Sequence, residues 1–357
     1  MKKIIVLLLL LIPINIKAIS TSASSAILMD MDSHRILYAY NINNQRSVAS
    51  ISKIMTALIA VESGKLDKKV TIGSEIDKSY GSGIYIKKGE VMTLRDLLYG
   101  LMLRSGNDAS YSIATFVSGD TDKFVDEMNK KANELNLKNT IFNNPNGLDE
   151  DKGNYSTAYD MAIIMSNAMK NKDFREIVKS KKYSLKTNMN TYIWHNKNKL
   201  LNMYKYATGG KTGYTKIAKR TLVNTASKNN LNLVAVTLND GNDFKDHMEL
   251  FEYGFNNYKN YKILNSGVID ILSDKYYKKY DFYIKNDFTY PLSNDELDLI
   301  LIKFNLEKNR KPKENMKVGY VSVYLGDLLI HKEDLYIVKK INKKFNLKKF
   351  IKDTFKW

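Results

Sequence analysis

The sequence contains no cysteine in 357 residues, which excludes disulfide staples, a thiol nucleophile, iron–sulfur clusters and Cys-ligated zinc. Histidine is scarce too. The four present, His34, His195, His247 and His331, have no carboxylate at recognisable motif spacing. A Ser-His-Asp triad therefore has no candidate, and without an H-E-x-x-H or similar cluster we expect no metal and no cofactor. Only 4 prolines and 2 tryptophans occur, yet 44% of residues are hydrophobic and 11% aromatic, the composition of a folded chain. Acidic residues are in deficit: 38 Asp and Glu against 56 Lys and Arg leave a net charge of +18. Such a surplus implies an anionic partner: nucleic acid, a membrane surface or another polyanion. At the start of the chain, the apolar run from Ile4 to Ile12 is too short for a permanent membrane span.

What is there narrows the choice. Lys2 and Lys3 precede that run, Pro13 follows it, and small residues gather between Ala18 and Ala26. This is the layout of a secretory signal peptide over residues 1–23, with cleavage after Ala18 or Ala23; a retained N-terminal anchor is the alternative. An exported chain is a poor nucleic-acid binder, so no nucleic acid is expected. The positive charge is uneven: residues 339–357 carry eight lysines and one aspartate. On a helical wheel Ile341, Phe345, Leu347, Ile351 and Phe355 gather on one side, while Phe350 and Trp357 do not. We read a basic tail that associates with an anionic membrane surface, against the alternative of a disordered basic segment.

Hydrophobic periodicity sets the remaining organisation. Residues 26–41 alternate as a hairpin with Asp32-Ser33 at its turn, and Ser50 to Val61 has helical spacing. A second helical block is expected from Leu94 to Val117, then a polar loop over 143–156 and a helix from Thr157 to Met169. Strands return over 206–238, with Lys228-Asn229-Asn230 as a turn, before a helix from Asp243 to Tyr258. Strands at both ends of a helical middle predict an α/β (α+β) domain over 24–260, an antiparallel sheet with helices on its faces. Segments 263–272, 280–286, 297–305, 318–325 and 335–338 read as strands of a small β domain over 261–338.

Three short motifs carry the chemistry. Ser50-Ile51-Ser52-Lys53 is an S-x-x-K at a helix start, where i and i+3 share a face and Lys53 can reach the Ser50 hydroxyl. A serine is a weak nucleophile until a base takes its proton. Lys53 can do so only when neutral, which needs its pKa lowered by roughly three units, about 4 kcal/mol, through burial or a nearby cation. Ser105-Gly106-Asn107 offers a hydroxyl and an amide to relay a proton and hold an amide substrate; Ser227-Lys228-Asn229 is a second S-x-N. Lys211-Thr212-Gly213, followed by Tyr214, puts a cation and a hydroxyl where a strand begins, suited to a carboxylate, with a glycine permitting close approach.

Together these stretches resemble the D-alanyl-D-alanine carboxypeptidases, the low-molecular-mass penicillin-binding serine peptidases. The resemblance rests on Val48 to Thr56, Gly100 to Ala109, Asn144 to Asp149, Tyr155 to Met161 and Gly210 to Thr215. It implies a penicillin-binding transpeptidase/β-lactamase-like fold. It also implies that Ser50 attacks the terminal D-Ala–D-Ala bond of a peptidoglycan stem peptide with Lys53 as general base. Ser105 and Asn107 would serve proton transfer and orientation, and Lys211, Thr212, Gly213 and Tyr214 would bind substrate. The backbone N–H groups of Ser50 and Tyr214 would form the oxyanion hole, and β-lactams would acylate Ser50. Three positions depart from the family pattern: Val48 replaces a frequent proline, Asn146 a frequent histidine and Lys219 the usual glycine. Two other readings stay open. Glu150 and Asn154 have a spacing seen in one class of serine β-lactamase, and an inactive peptidase fold could serve as a wall-binding scaffold.

Overall fold

The computed structural model describes residues 19–149, 152–269, 272–309 and 311–340. The signal segment up to residue 18, Glu150, and the tail from residue 341 lie outside the described residues. The described chain divides into two compact units, 19–228 with 232–256 and 229–231 with 257–340.

In the larger unit, among the described residues, five strands form the main sheet. They are β1 (Ser25–Asp30), β2 (Ile36–Tyr40), β3 (Ala207–Thr215), β4 (Lys219–Lys228) and β5 (Leu231–Leu238), in the order β2-β1-β5-β4-β3. The first hairpin of the chain thus meets strands from its far end, with Ser25 opposite Leu238 and Asp30 opposite Leu233. Every residue of β1 is buried, as expected of a strand covered on both faces.

Helix α1 (Lys53–Glu62) is apolar all round, and its residues from Lys53 to Val61 are all buried. A helix without a polar face belongs in the centre of a core, and this one does not amphipathically skirt it. Its first turn is not α-helical: Ala49–Ser52 form a 3-10 turn, and Ala49 has a φ of 49°. The expected helix therefore begins three residues late, with Ser50 on the tighter turn.

The expected helix from Leu94 to Val117 is broken. Helix α2 (Leu94–Tyr99) is capped by Thr93, whose hydroxyl accepts from the Asp96 N–H at 3.1 Å while Asp96 accepts from the Thr93 N–H at 2.8 Å. A π-helical turn follows over Gly100–Arg104, Ser105 takes φ 66°, and α3 (Asn107–Ser118) starts afresh. A left-handed residue ends any helix, so the apolar periodicity on both sides belongs to two helices at an angle.

Among the described residues the other helices of eight residues or more are α4 (Thr121–Glu134), α5 (Ala158–Ala168), α6 (Lys172–Lys179) and α7 (Asp243–Asn257). Neither α4, α6 nor the hairpin Lys182–Lys186/Thr191–His195 was assigned from periodicity, though Phe124, Met128 and Ala132 mark the buried stripe of α4.

The smaller unit is β-rich. A five-stranded sheet has the order β7-β8-β12-β11-β10, from β7 (Gly267–Val268), β8 (Tyr280–Ile284), β10 (Ile300–Leu306), β11 (Lys317–Leu325) and β12 (Leu328–Lys339). A second pair joins β6 (Lys259–Leu264) to β9 (Phe288–Leu292). Three expectations need correction. Strand β12 begins at Leu328, seven residues earlier than expected; residues 294–299 form a 3-10 turn ahead of β10; and 263–272 is not one strand, since β6 ends at Leu264. Strand β9 escaped notice because Pro291 argues against a strand interior, and it lies in a two-stranded pair where a missing donor is tolerated.

Candidate active site

Ser50 sits where the 3-10 turn enters α1, and three contacts hold that turn in place. Thr221 Oγ1 donates to the Val48 carbonyl at 3.0 Å, Ser52 Oγ donates to the Ala49 carbonyl at 2.9 Å, and the Val48 N–H donates to the Asn154 carbonyl at 3.2 Å. Gly147, at φ 79°, packs on the turn so closely that a Cβ there would collide with the Ala49 carbonyl oxygen. Gly213 does the same from the strand side: a Cβ there would stand 3.0 Å from the Ser50 nitrogen. Glycine is required at both positions by close approach, and at Gly147 by its backbone as well.

Lys53 lies on the same face as Ser50, one turn on. Its Nζ donates to Ser50 Oγ at 3.0 Å, to Asn107 Oδ1 at 2.8 Å and to the Asn146 carbonyl. All three acceptors are uncharged, and the side chain is fully buried. Burial first, then repulsion from Lys211 and Lys197, push its pKa well below the usual lysine value, with Asp108 opposing the shift.

Asn107 opens α3 after the left-handed Ser105. Its Nδ2 donates to the Tyr80 carbonyl at 2.6 Å and its backbone N–H to the Ser82 carbonyl at 2.7 Å, which fixes the amide oxygen on Lys53. Beside it the Asp108 carboxylate accepts from the N–H groups of Ile84 at 3.0 Å and Tyr85 at 2.7 Å, tying the 82–86 loop to the helix start. Lys211, on β3, is buried and donates to Ser105 Oγ at 3.0 Å and to the Thr212 carbonyl at 2.7 Å. Burial and the nearby Lys197 lower its pKa to about 7.

A cavity of about 430 Å³ opens over these groups, and its lining includes Ser50, Ser105, Thr212, Gly213 and Tyr214. The helix, loop and strand motifs thus converge on one site. The second S-x-N, Ser227 to Asn229, stands apart at the β4–β5 turn. His195 is exposed and absent from the cavity lining, while His247 is buried between Asn224 and Thr237, with burial lowering its pKa to about 3. Among the described residues, no group of three or more His, Cys, Asp or Glu could hold a metal ion.

A family model described as D-alanyl-D-alanine carboxypeptidase matches residues 14–242. The chain belongs to this family. D-alanyl-D-alanine carboxypeptidase DacF of Bacillus subtilis (strain 168) is 41% identical over 220 residues, which are 60% of this chain and 56% of that relative. The match therefore spans little more than half the length of that protein. The D-alanyl-D-alanine carboxypeptidase of Streptomyces sp. (strain K15) is 36% identical over 61% of this chain and 82% of the relative. Among solved structures, penicillin binding protein 5 from Haemophilus influenzae is similar with a TM-score of 0.77 and 27% identity, over 91% of this chain and 99% of that one.

This member of the D-alanyl-D-alanine carboxypeptidase family departs from the pattern in places the geometry explains. Lys219 has φ 58°, in the left-handed region, which is why glycine suits that position. Asn146 contributes its backbone carbonyl to Lys53, a role that does not depend on its side chain. Several cavity residues carried no motif of their own. Lys197 lines the cavity, its Nζ 3.3 Å from Ser82 Oγ. Arg220 pairs with Asp243 through contacts of 2.5 and 3.1 Å at the cavity wall. Asp149 accepts from both Ser47 Oγ and Thr215 Oγ1, clamping the 143–149 loop to the end of β3. The Asn146-Gly147-Leu148-Asp149 stretch was the one sequence signal for that clamp.

Proposed function

We propose that the protein is a serine D,D-carboxypeptidase that removes the terminal D-alanine from peptidoglycan stem pentapeptides through a Ser50 acyl-enzyme. The observation that carries this reading is Lys53: buried, 3.0 Å from Ser50 Oγ, and hydrogen-bonded to neutral acceptors. Burial and the Lys211 and Lys197 charges favour the neutral amine, whose two N–H groups serve Asn107 Oδ1 and the Asn146 carbonyl and whose lone pair is then left for the Ser50 proton.

In the acylation step Ser50 Oγ attacks the carbonyl of the terminal D-Ala–D-Ala bond while its proton passes to Lys53 Nζ. The developing oxyanion takes hydrogen bonds from the backbone N–H groups of Ser50 and Tyr214. The Lys211 ammonium and the Thr212 hydroxyl bind the terminal carboxylate, and Gly213 lets the strand approach the substrate backbone. Asn107 orients the peptide, and Ser105, which accepts from Lys211 at 3.0 Å, gives its hydroxyl proton to the departing amine and is reprotonated by the Lys53 ammonium, which returns to the neutral amine. D-Alanine leaves, and water activated by Lys53 hydrolyses the ester. No cofactor takes part. β-Lactams carry a strained amide and a carboxylate at matching positions and acylate the same serine.

The wild type is expected to release D-alanine from a pentapeptide stem, and Ser50→Ala to lose this by about 10³-fold or more. A long-lived penicillin adduct on Ser50, seen by mass spectrometry, separates this reading from a β-lactamase, which would turn penicillin over rapidly. The signal segment and basic tail support export and residence on the outer face of the cytoplasmic membrane. Among the described residues no helix is long and apolar enough to cross a membrane.

A further inference from the structure

A second cleft, of about 660 Å³, lies in the larger unit away from Ser50. It reaches Thr208, near the start of β3, while the active-site cavity reaches Tyr214 near the end of the same strand. At about 3.3 Å per residue the two ends are some 20 Å apart.

One wall is α6. Phe174, Ile177 and Val178 bury its inner face, and Lys172, Arg175 and Lys179 line the cleft. Their i, i+3, i+7 spacing makes a row of cations about 4.5 and 6 Å apart along the helix axis. Lys170, just before α6, adds a fourth. Arg175 is fixed by donating from Nη1 to the Met169 carbonyl at 2.7 Å and the Lys170 carbonyl at 2.9 Å. A row of this kind suits a chain with an anionic group at every repeat better than one compact anion.

The floor has the opposite character. Ser227 Oγ donates to Asn232 Oδ1 at 2.7 Å and Ser166 Oγ to the Ala162 carbonyl at 2.8 Å, leaving their oxygens to accept. Asp32, held by Asn232 Nδ2 at 2.8 Å, adds a carboxylate acceptor, while Glu176, on α6 itself, sets one carboxylate beside the cation row. Acceptors repel phosphate oxygens and attract hydroxyl donors. Among the described residues no aromatic side chain lines the cleft, so stacked bases have no platform there.

From this division we propose that the cleft binds a polyol phosphodiester polymer, with phosphates along the α6 cations and hydroxyls on the acceptor floor. The site would hold the protein to an anionic polymer while the cavity at the far end of β3 stays open. It does not depend on the carboxypeptidase reading and stands or falls separately from it.

The test uses the full chain and a synthetic six-repeat glycerol phosphate oligomer, with binding measured by calorimetry at low and high salt. Salt-sensitive binding is expected to persist after penicillin acylates Ser50. It should weaken about tenfold in a Lys172→Ala, Lys179→Ala double variant, the loss of two exposed cation contacts. An unchanged circular dichroism spectrum and melting temperature show that the variant is folded. Equal affinity in the variant, loss of binding on acylation, or tighter binding of inorganic polyphosphate than of the oligomer would each overturn the proposal. Phosphatidylglycerol vesicles distinguish the lipid source of the same chemistry: a defect of the variant confined to vesicles overturns the polymer assignment.

Discussion

Lys197 controls two charges at once. It repels both Lys53 and Lys211, and its own pKa is lowered by burial and by Arg104. Replacing it with methionine keeps most of the packing and removes the repulsion, so both buried lysines should hold their protons to higher pH. Neutral Lys53 is the proposed base, so the acid limb of Ser50 acylation by penicillin should move to higher pH and acylation near pH 6 should slow. An acid limb that stays in place would show that burial and Lys211 set the Lys53 pKa without help from Lys197. Lys211 also makes a linkage prediction. Its folded pKa is about 7 against an ordinary 10.5, so between these values the unfolded chain binds more protons. Stability should therefore rise with pH across that window, and the contribution is lost as pH falls through 7. Urea unfolding at pH 7 and 9.5 should show a shallower rise for Lys211→Met than for the wild type. The Ser50–Lys53 pairing was legible because three residues on a helix start fix a shared face. The Lys197 repulsion was not, because it arises only when the 196–200 segment folds over the site.

Gly147→Ala is the informative change at the scale of elements. The residue is in the left-handed region and its missing Cβ is where the Ala49 carbonyl lies, so alanine must displace either the loop or the nucleophile turn. The dihedral strain alone costs about 1–2 kcal/mol, and the collision adds to it. A lower melting temperature should come with a Ser50 acylation rate reduced by more than the stability loss explains. Retained acylation at reduced stability would mean that the loop yields and the turn does not. This loop also shows where periodicity stops being a guide. The apolar runs of α1, α5 and β1 are products of burial, which composition records directly. The break at Ser105 depends on a single left-handed residue after a π turn, and the pattern of Leu97, Leu98, Leu101 and Met102 runs up to it without change. The charged run Lys332, Glu333 and Asp334 has the composition of a loop, whereas these residues lie paired opposite Ser322, Val321 and Tyr320 within β12 and β11.

At the scale of the whole molecule the net charge of +18 is shared among sites with different tasks. Lys53 and Lys211 are buried for chemistry, the α6 row faces a cleft, and the tail after Lys340 keeps six lysines against Asp353. Near an anionic bilayer each such lysine contributes about 1 kcal/mol. Apolar side chains such as Phe345, Ile351 and Phe355 would add to that attraction on entering the bilayer. A chain ending at Lys340 should therefore lose partition onto phosphatidylglycerol vesicles by at least about 10³-fold in the binding constant, the equivalent of about 4 kcal/mol. It should release D-alanine from a soluble pentapeptide at the wild-type rate, because the residues proposed for the reaction, from Ser50 to Tyr214, all precede the tail. A full-length variant with Lys343, Lys344, Lys348 and Lys349 changed to Glu should show the same separation, with its residual binding insensitive to salt. Sedimentation of both chains with phosphatidylglycerol and with phosphatidylcholine vesicles checks this. Equal sedimentation of the shortened and complete chains would assign the membrane attraction to the folded units and leave the tail without that role.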